Sequence, residues 1–247
     1  MADSRESESL GQSLQHSFGA QDVSSSERES KIRHVFKVVA PRYDLMNDFM
    51  SFGIHRLWKL YLINRFNEQN NLLVVDLAGG TGDIASGIAK RNHQVVIIDP
   101  SVEMMQAGQK KHQLACIAGV GEQLPIPDNS VDAVTISFGI RNTTDMQAAL
   151  KDIYRVLKPQ GVFYCLEFSK PAALIRPFYN LYNRFVIPRL GALVAGQPAA
   201  YQYLIESIQR FPDQQEMKRL FEQVGFEQVG IHNLSFGIAC VHSGYKQ

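Results

Sequence analysis

The chain has 247 residues, with 25 Lys+Arg against 24 Asp+Glu, and is 45% hydrophobic and 20% charged. That is the composition of a soluble globular protein, long enough to bury a full core without disulfide staples. A net charge of +1 argues against a dedicated nucleic-acid binder, and three cysteines with no close pair argue against a disulfide scaffold or a thiolate metal site and suit a reducing, cytoplasmic compartment.

The first 30 residues hold nine serines, six acids and two bases, with no apolar run of the kind a secretory signal needs. Residues 1–17 are expected to be a disordered acidic tail, because they offer little apolar surface to offset their ordering entropy. The remainder, 31–247, is mildly basic, with 23 bases and 18 acids. No stretch reaches the ~20 apolar residues of a spanning helix. Lys31–Val39 places Ile32, Val35, Phe36 and Val39 on one helical face. Pro41 interrupts it, and Arg42–Phe66 resumes as helix, broken near Gly53. The pattern then changes. Asn71–Leu77 reads as a buried strand ending in glycines, and a helix follows to about Arg91. Gln94–Ile98 is a second strand, after which Ser101 can cap a helix holding Met104 and Met105. Leu114–Ile117 and Val131–Phe138 are the third and fourth strands. A helix over Met146–Leu157 stops at the turn Lys158-Pro159-Gln160-Gly161, and Val162–Phe168 is the fifth strand.

A non-repetitive insertion, rich in aromatics, runs from Lys170 to Phe211. Pro212–Val224 is a last helix with Gly225 as its cap, and the strands Glu227–Asn233 and Phe236–His242 close the chain as a tight hairpin. Near-continuous apolar strands alternating with helices predict an α/β fold, a doubly wound, Rossmann-like parallel sheet covered on both faces.

The most informative segment is Val74-Val75-Asp76-Leu77-Ala78-Gly79-Gly80-Thr81-Gly82. A glycine turn between strand and helix lets the backbone approach a ligand, and the helix behind it offers free N–H groups. Gly80-x-Gly82-x-x-Ala85 satisfies the loose dinucleotide pattern, and Asp99 follows 19 residues after Gly80, where such folds hold a ribose by its hydroxyls. Two cofactors compete: a nicotinamide or flavin dinucleotide, and S-adenosylmethionine. Three features favour the second. Asp76 stands inside the first strand, directly before the glycines. The segment Gly121-Glu122-Gln123-Leu124-Pro125-Ile126-Pro127-Asp128 follows the third strand, and in this it resembles methyltransferases that cover the adenine there. The closing hairpin suits a seven-stranded sheet whose last strand inserts antiparallel.

Dispersed matches carry a closer resemblance. Tyr43-Asp44-Leu45-Met46-Asn47 with Ser51, His55 and Trp58, the loop Asp76–Asp83, and Ser137-Phe138-Gly139-Ile140-Arg141-Asn142 form the first half. Arg155–Pro159, Leu166–Pro171, Tyr203-Leu204, Glu206–Ile208, Pro212–Gln214 and Gly244–Lys246 form the second, and Phe18-Gly19 and Val23 extend the match toward the N-terminus. On these residues the chain resembles the ubiquinone/menaquinone biosynthesis C-methyltransferase family. It departs at Gln160, at Val120-Gly121, at Pro100 and over Ala195–Ala200.

The resemblance implies one S-adenosylmethionine-dependent methyltransferase domain over 18–247, with a helical lid at 18–68 and an insertion at 170–211. It implies methyl transfer to a ring carbon of a polyprenylated quinol, demethylmenaquinol or 2-methoxy-6-polyprenyl-1,4-benzoquinol or both, without a metal. The expected cofactor residues are Asp76, Gly79, Gly80, Thr81, Gly82, Asp99, Val120, Gly121 and Ser137. The expected catalytic residues are Arg141, stabilising the quinolate, Asn142, orienting a ring oxygen, and Tyr43 and Asp44 from the lid. Asp44 or His55 is a candidate proton acceptor. His34, His93 and His112 read as surface residues, and the cysteines as core thiols. The insertion has four arginines and one acid between Ala172 and Arg210. That balance fits a peripheral contact with the inner face of a membrane, or a homodimer contact. Other small lipophilic substrates, and a nicotinamide oxidoreductase, are the alternatives.

Overall fold

The central strands are mostly apolar because helices cover both of their faces. The computed structural model describes residues 17–18, 21–39, 47–48, 51–68, 71–185 and 198–247. A small hairpin, β1 (Ser17–Phe18) and β2 (Gln21–Asp22), precedes helix α1 (Ser25–Val39). Helix α2 (Ile54–Ile63) follows, and then the main sheet begins. Its strands are β3 (Leu73–Leu77), β4 (Gln94–Asp99), β5 (Ala115–Ala118), β6 (Val131–Ser137), β7 (Leu157–Phe168), β8 (Glu227–Leu234) and β9 (Ala239–Tyr245). They lie in the order β5-β4-β3-β6-β7-β9-β8. The first five are parallel, and β9 runs antiparallel between β7 and β8.

Helices α3 (Asp83–Ala89) and α4 (Val102–Gln109) make the crossovers on one side of β3, and α5 (Met146–Val156) makes the crossover from β6 to β7. The chain therefore reverses its winding between β3 and β6. The crevice at the carboxyl ends of those strands is where ligands bind in such sheets. Helices α6 (Arg176–Phe185), α7 (Pro198–Arg210) and α8 (Gln214–Val224) complete the described fold.

Each sheet face has its own core. On one face Ile153 and Val156 of α5 and Met217, Leu220 and Phe221 of α8 pack on Val75, Val134 and Phe163. Phe163 stacks on Phe221 at 5.0 Å, and Phe226 lies 5.7 Å from Phe163. Burying each such ring contributes ~1.5–3 kcal/mol of transfer free energy. On the other face Trp58, Leu62 and Ile63 of α2 and Ile84 and Ile88 of α3 pack on Val74, Val95 and Ala133. Both cores anchor the ends of β3, β4 and β6 that carry the site.

Several boundaries differ from the sequence expectation. Helix α1 begins at Ser25 rather than Lys31, because Ser24 and Glu27 cap it reciprocally: the Ser24 amide donates to Glu27 Oε2 (2.9 Å) and the Glu27 amide to Ser24 Oγ (3.3 Å). Strand β7 begins at Leu157, so the expected turn at 158–161 is a register shift inside the strand, between the pairs Val131–Leu157 and Ala133–Val162. The extra residues are absorbed with Gln160 in the left-handed region, at φ 68°. In the closing hairpin a 3₁₀ turn over Ser235–Gly237 delays β9 to Ala239. Helix α8 starts at Gln214, with Asp213 and Glu216 forming its capping box. Of the expected acidic tail, Ser17 pairs with Asp22, and residues 1–16 lie outside the described residues, as does the break at Pro41. No described helix is long and apolar enough to cross a membrane.

Candidate active site

The glycine loop joins β3 to α3, and a buried acid sets its shape. Asp76 Oδ1 accepts from Thr135 Oγ1 (2.9 Å) and Oδ2 from the Ala85 amide (3.1 Å) in the first turn of α3. Burial pushes the Asp76 carboxyl up to about 7, although these two donors favour its charged form. Gly79 passes so close that a Cβ there would lie 2.8 Å from Asp76 Oδ2. Gly82 caps α3 with φ 77°, and a Cβ on it would meet His112 Cε1 at 2.3 Å. Only glycine fits at either position. His112, expected on the surface, is half-buried, and its Nε2 pairs with the Thr81 carbonyl at 2.7 Å. It buttresses the loop from behind.

At the end of β4, Asp99 accepts the Gly80 amide on Oδ2 (2.8 Å) and the Ser101 amide on Oδ1 (2.7 Å). Each oxygen keeps a lone pair for a further donor. Burial raises this carboxyl too, against the two amides. Gly79, Gly80 and Thr81 of the loop, with Asp99 and Ser101, border a cleft of about 480 Å³, within the ~300–1,000 Å³ of small-molecule sites, whereas Gly82 does not line it. Met104, Val120, Gly121, Glu122, Ser137, Phe138 and Asn142 continue its wall, and Glu29, Ile32 and Arg33 of α1 close over it. Ser137 Oγ is buried in this wall with no hydrogen-bond partner. The Gly79–Gly82 cradle, a carboxylate with spare lone pairs and an unsatisfied hydroxyl are the complement that an adenosine carrying an amino-acid arm requires. The described residues hold no group of three or more His, Cys, Asp or Glu able to bind a metal.

Phe138 leads from β6 into a 3₁₀ turn over Ile140–Asn142. Arg141 and Asn142 are neighbours in it but have different surroundings. Asn142 lines the cleft. Its Oδ1 accepts from Tyr203 Oη of α7 (2.8 Å), which turns Nδ2 the other way. Arg141 is buried and is not among the described residues that line the cleft. Its Nη1 donates to the Phe138 carbonyl (2.6 Å) and to Glu167 Oε1 (2.7 Å), and its guanidinium lies 5.5 Å from the Phe168 ring centre. Burial raises the Glu167 carboxyl, while the Arg141 charge opposes the shift. Glu167 Oε2 is buried with no hydrogen-bond partner.

Two residues absent from the expected set hold this turn in place. Arg28 of α1, only 2% exposed, donates from Nη1 to the Thr143 carbonyl (2.6 Å) and from Nη2 to the Arg141 carbonyl (3.0 Å). Tyr203 is stacked on Phe18 of β1, with ring centres 4.4 Å apart at 14°. Glu122 adds a third tie, accepting the Thr144 (2.5 Å) and Asp145 (3.0 Å) amides on Oε1.

Tyr43 and Asp44 lie outside the described residues. His55 is buried, its Nδ1 2.8 Å from Ser51 Oγ and its Nε2 3.9 Å from Asp48, and burial holds its pKa below the usual histidine value. His93 is a correction to the surface expectation. It is buried, with Nδ1 accepting the Leu72 amide (3.2 Å) and Nε2 2.8 Å from the Phe66 carbonyl. Cys165 and Cys240 are core thiols, and Cys116 is half-buried.

Comparison with known proteins agrees with this geometry. The model of the ubiE/COQ5 methyltransferase family matches residues 24–246. The chain is 56% identical over 235 residues to the ubiquinone/menaquinone biosynthesis C-methyltransferase UbiE of Rubrivivax gelatinosus, covering 94% of each protein. It is 42% identical over 274 residues to the mitochondrial 2-methoxy-6-polyprenyl-1,4-benzoquinol methylase of Gallus gallus, covering 93% of this chain and 88% of that one. Among solved structures, a SAM-dependent methyltransferase from Thermotoga maritima superposes with a TM-score of 0.65 at 19% identity, covering 87% of this chain and 99% of that chain. That likeness establishes the Rossmann-like methyltransferase fold.

Proposed function

The chain belongs to the ubiE/COQ5 methyltransferase family, and from that membership and the cleft we infer that it is an S-adenosylmethionine-dependent C-methyltransferase acting on a ring carbon of a polyprenylated quinol in ubiquinone or menaquinone biosynthesis. The relatives' names support the reaction and the substrate class. Asp99 carries the cofactor assignment, as a buried carboxylate at the end of β4 with a lone pair spare on each oxygen.

The cofactor, when bound, supplies a methyl group already activated on a cationic sulfonium. The chain's own residues do the rest. Asp99 accepts from the two ribose hydroxyls. Gly79, Gly80, Thr81 and Gly82 hold the amino-acid arm, near the Asp76 carboxylate. Val120 and Gly121 would touch the adenine, and Ser137 would lie under the cofactor at the end of β6. Holding the ring carbon in line with the methyl group can lower the barrier by ~7–11 kcal/mol.

The ring carbon becomes nucleophilic when a ring hydroxyl, with a pKa near ~10, gives up its proton. Asn142, oriented by Tyr203, donates from Nδ2 to the ring oxygen. Arg141 acts from one layer behind, through its charge. Glu167 balances that charge at rest, and it is the carboxylate we assign as the proton's destination, through water. A proton arriving on Oε2 leaves the Arg141 cation uncompensated beside the new quinolate, so the buried unit keeps its total charge. Tyr43 and Asp44 remain assigned to the lid side of the substrate on the resemblance. The unit 18–247 is read as one domain with its lid at 18–68 and insertion at 170–211, working in the cytoplasm.

Calorimetry with S-adenosylmethionine and with nicotinamide dinucleotides, followed by turnover on a short-tailed demethylated quinol, tests the reading. Binding of S-adenosylmethionine alone and one methyl transferred to carbon are expected. Asp99→Ala should weaken cofactor binding at least about tenfold, since each hydrogen bond to a charged group is worth ~1.5–3 kcal/mol. Unchanged affinity would contradict the assignment.

A further inference from the structure

A polyprenyl tail does not dissolve in water, and the protein has a face suited to the surface from which such a tail must be taken. Single exposed apolar side chains are ordinary. Here Phe52 and Leu57 at the start of α2, Leu174, Phe178 and Leu181 on and before α6, and Phe236 in the β8–β9 turn are between 58% and 83% exposed. Contacts tie the three elements together. Phe52 lies 5.6 Å from the Tyr182 ring of α6, Trp58 Nε1 of α2 donates to Ser235 Oγ (2.9 Å), and the Ala172 amide before α6 donates to the Phe236 carbonyl (2.9 Å). They form one patch, the mark of an interaction surface.

The sequence segments that present the patch are basic, although Lys170 lies 3.7 Å from Glu216 and is partly offset by it. Residues 49–67 and 169–185 each carry three Lys+Arg and no acid, and residues 228–247 carry no acid either. Arg56 and Lys59 reach back to Asp48 and Asp83, but Arg65 and Arg176 are exposed on the rim. An aromatic path joins the patch to the cleft. Phe138 in the cleft wall lies 4.7 Å from Phe168 and 6.2 Å from Trp58, and Trp58 is bonded to the turn that presents Phe236.

We propose that this face docks the protein on an anionic lipid bilayer, with Phe52, Phe178 and Phe236 entering the interface, so that the quinol ring reaches the cleft while its tail stays in lipid. The proposal rests on the quinol reading. The exposed cations Arg65 and Arg176 beside the apolar side chains select an anionic bilayer over a second copy of the chain, because a two-fold contact would bring each of them toward its own copy.

Flotation with vesicles of phosphatidylcholine, with and without phosphatidylglycerol, tests it on the full chain. Binding that requires phosphatidylglycerol and weakens with salt is expected. The double variant Phe178→Ser/Phe236→Ser, with both sites exposed and the fold checked by circular dichroism, should bind at least about tenfold more weakly. It should keep turnover on a short-tailed quinol in solution and lose it on a long-tailed quinol in vesicles. Wild type that ignores vesicles, a double variant that binds as well as wild type, binding indifferent to phosphatidylglycerol, or a wild-type dimer that the variant splits in sedimentation velocity each overturns the docking. Wild type inactive even on the short-tailed quinol defeats the functional reading instead, and flotation still decides the docking.

Discussion

Tyr203→Phe isolates one hydrogen bond at the centre of the site. The ring and its stacking on Phe18 survive, and only the donor to Asn142 Oδ1 is removed. That bond is 2.8 Å long and well inside the protein, whereas the other Asn142 contact, from Nδ2 to the Phe138 carbonyl, is long at 3.4 Å. Tyr203 therefore sets which end of the amide faces the cleft, where the proposed function puts the substrate. A neutral hydrogen bond of this kind contributes ~0.5–1.5 kcal/mol. Losing it lets the amide populate both orientations, and only one donates to the ring oxygen. The expected result is a fall in kcat of about three- to tenfold, with cofactor affinity unchanged. Burial raises the Tyr203 hydroxyl above the ordinary tyrosine value, so it remains a donor through neutral pH and the loss should be flat across that range. Combining the change with Asn142→Ala closes a cycle, in which the Tyr203 effect should vanish because its target is gone. An equal effect in the Asn142→Ala background, or none in wild type, would show that Tyr203 acts only on packing.

Arg28→Ala removes two charge-assisted hydrogen bonds that pin α1 to the 141–143 turn, so α1 should become sensitive to limited proteolysis and cofactor binding should weaken, with Arg28→Lys intermediate. Glu167→Gln cannot take the proton and should lower kcat by ~10²-fold or more, the contribution of a positioned base, and abolish the acidic limb of the kcat profile. Asp76, raised from 3.8 to about 7, holds a proton when folded that the unfolded chain releases, so its folded-state advantage is complete below about pH 4 and is lost as pH rises through about 7. Thermal melts of the free protein should show that fall, and calorimetry should show cofactor affinity rising over the same window, since the cationic amino group favours the carboxylate; Asp76→Asn should flatten both. Gln160→Gly relieves a left-handed residue costing ~1–2 kcal/mol but adds ~0.4–1 kcal/mol of unfolded-chain entropy, so a melting temperature raised by at most a few degrees is expected.

The parallel sheet was legible because period and length separate its strands from its helices. Val74, Val75 and Leu77, and again Val134 and Ile136, are buried in unbroken runs, as strands covered on both faces must be. Asp76, Gly79 and Asp99 were legible for a similar reason, since backbone geometry and one acid at a strand end define the motif locally. The start of α1 was also within reach, because Ser24-x-x-Glu27 is a capping box placed just ahead of the apolar repeat. The shift inside β7 was not. Lys158-Pro159-Gln160-Gly161 has turn chemistry, and only its pairing with β6 makes it strand.

The roles of Arg28 and Tyr203 lay beyond sequence reading for a different reason. Arg28 sits 113 residues before the Arg141 carbonyl it binds, and Tyr203 lies 61 residues after Asn142. Arg28 stands in no pattern of period or spacing, and Tyr203, although part of the family resemblance, carries no sequence sign of its role, so the part each plays arises only from tertiary contact. The same contact alters the role of Arg141. Its type and position suggested a cation open to the substrate, but a buried guanidinium needs a counter-charge, and Glu167 two strands along the sheet order from β3 supplies it. On the proposed reading, stabilisation of the quinolate comes from the ring proton reaching Glu167, which uncovers the Arg141 charge, rather than from a standing positive charge. That step makes the acidic limb of the kcat profile, and its loss in Glu167→Gln, the measurement that separates a buried structural ion pair from a working one.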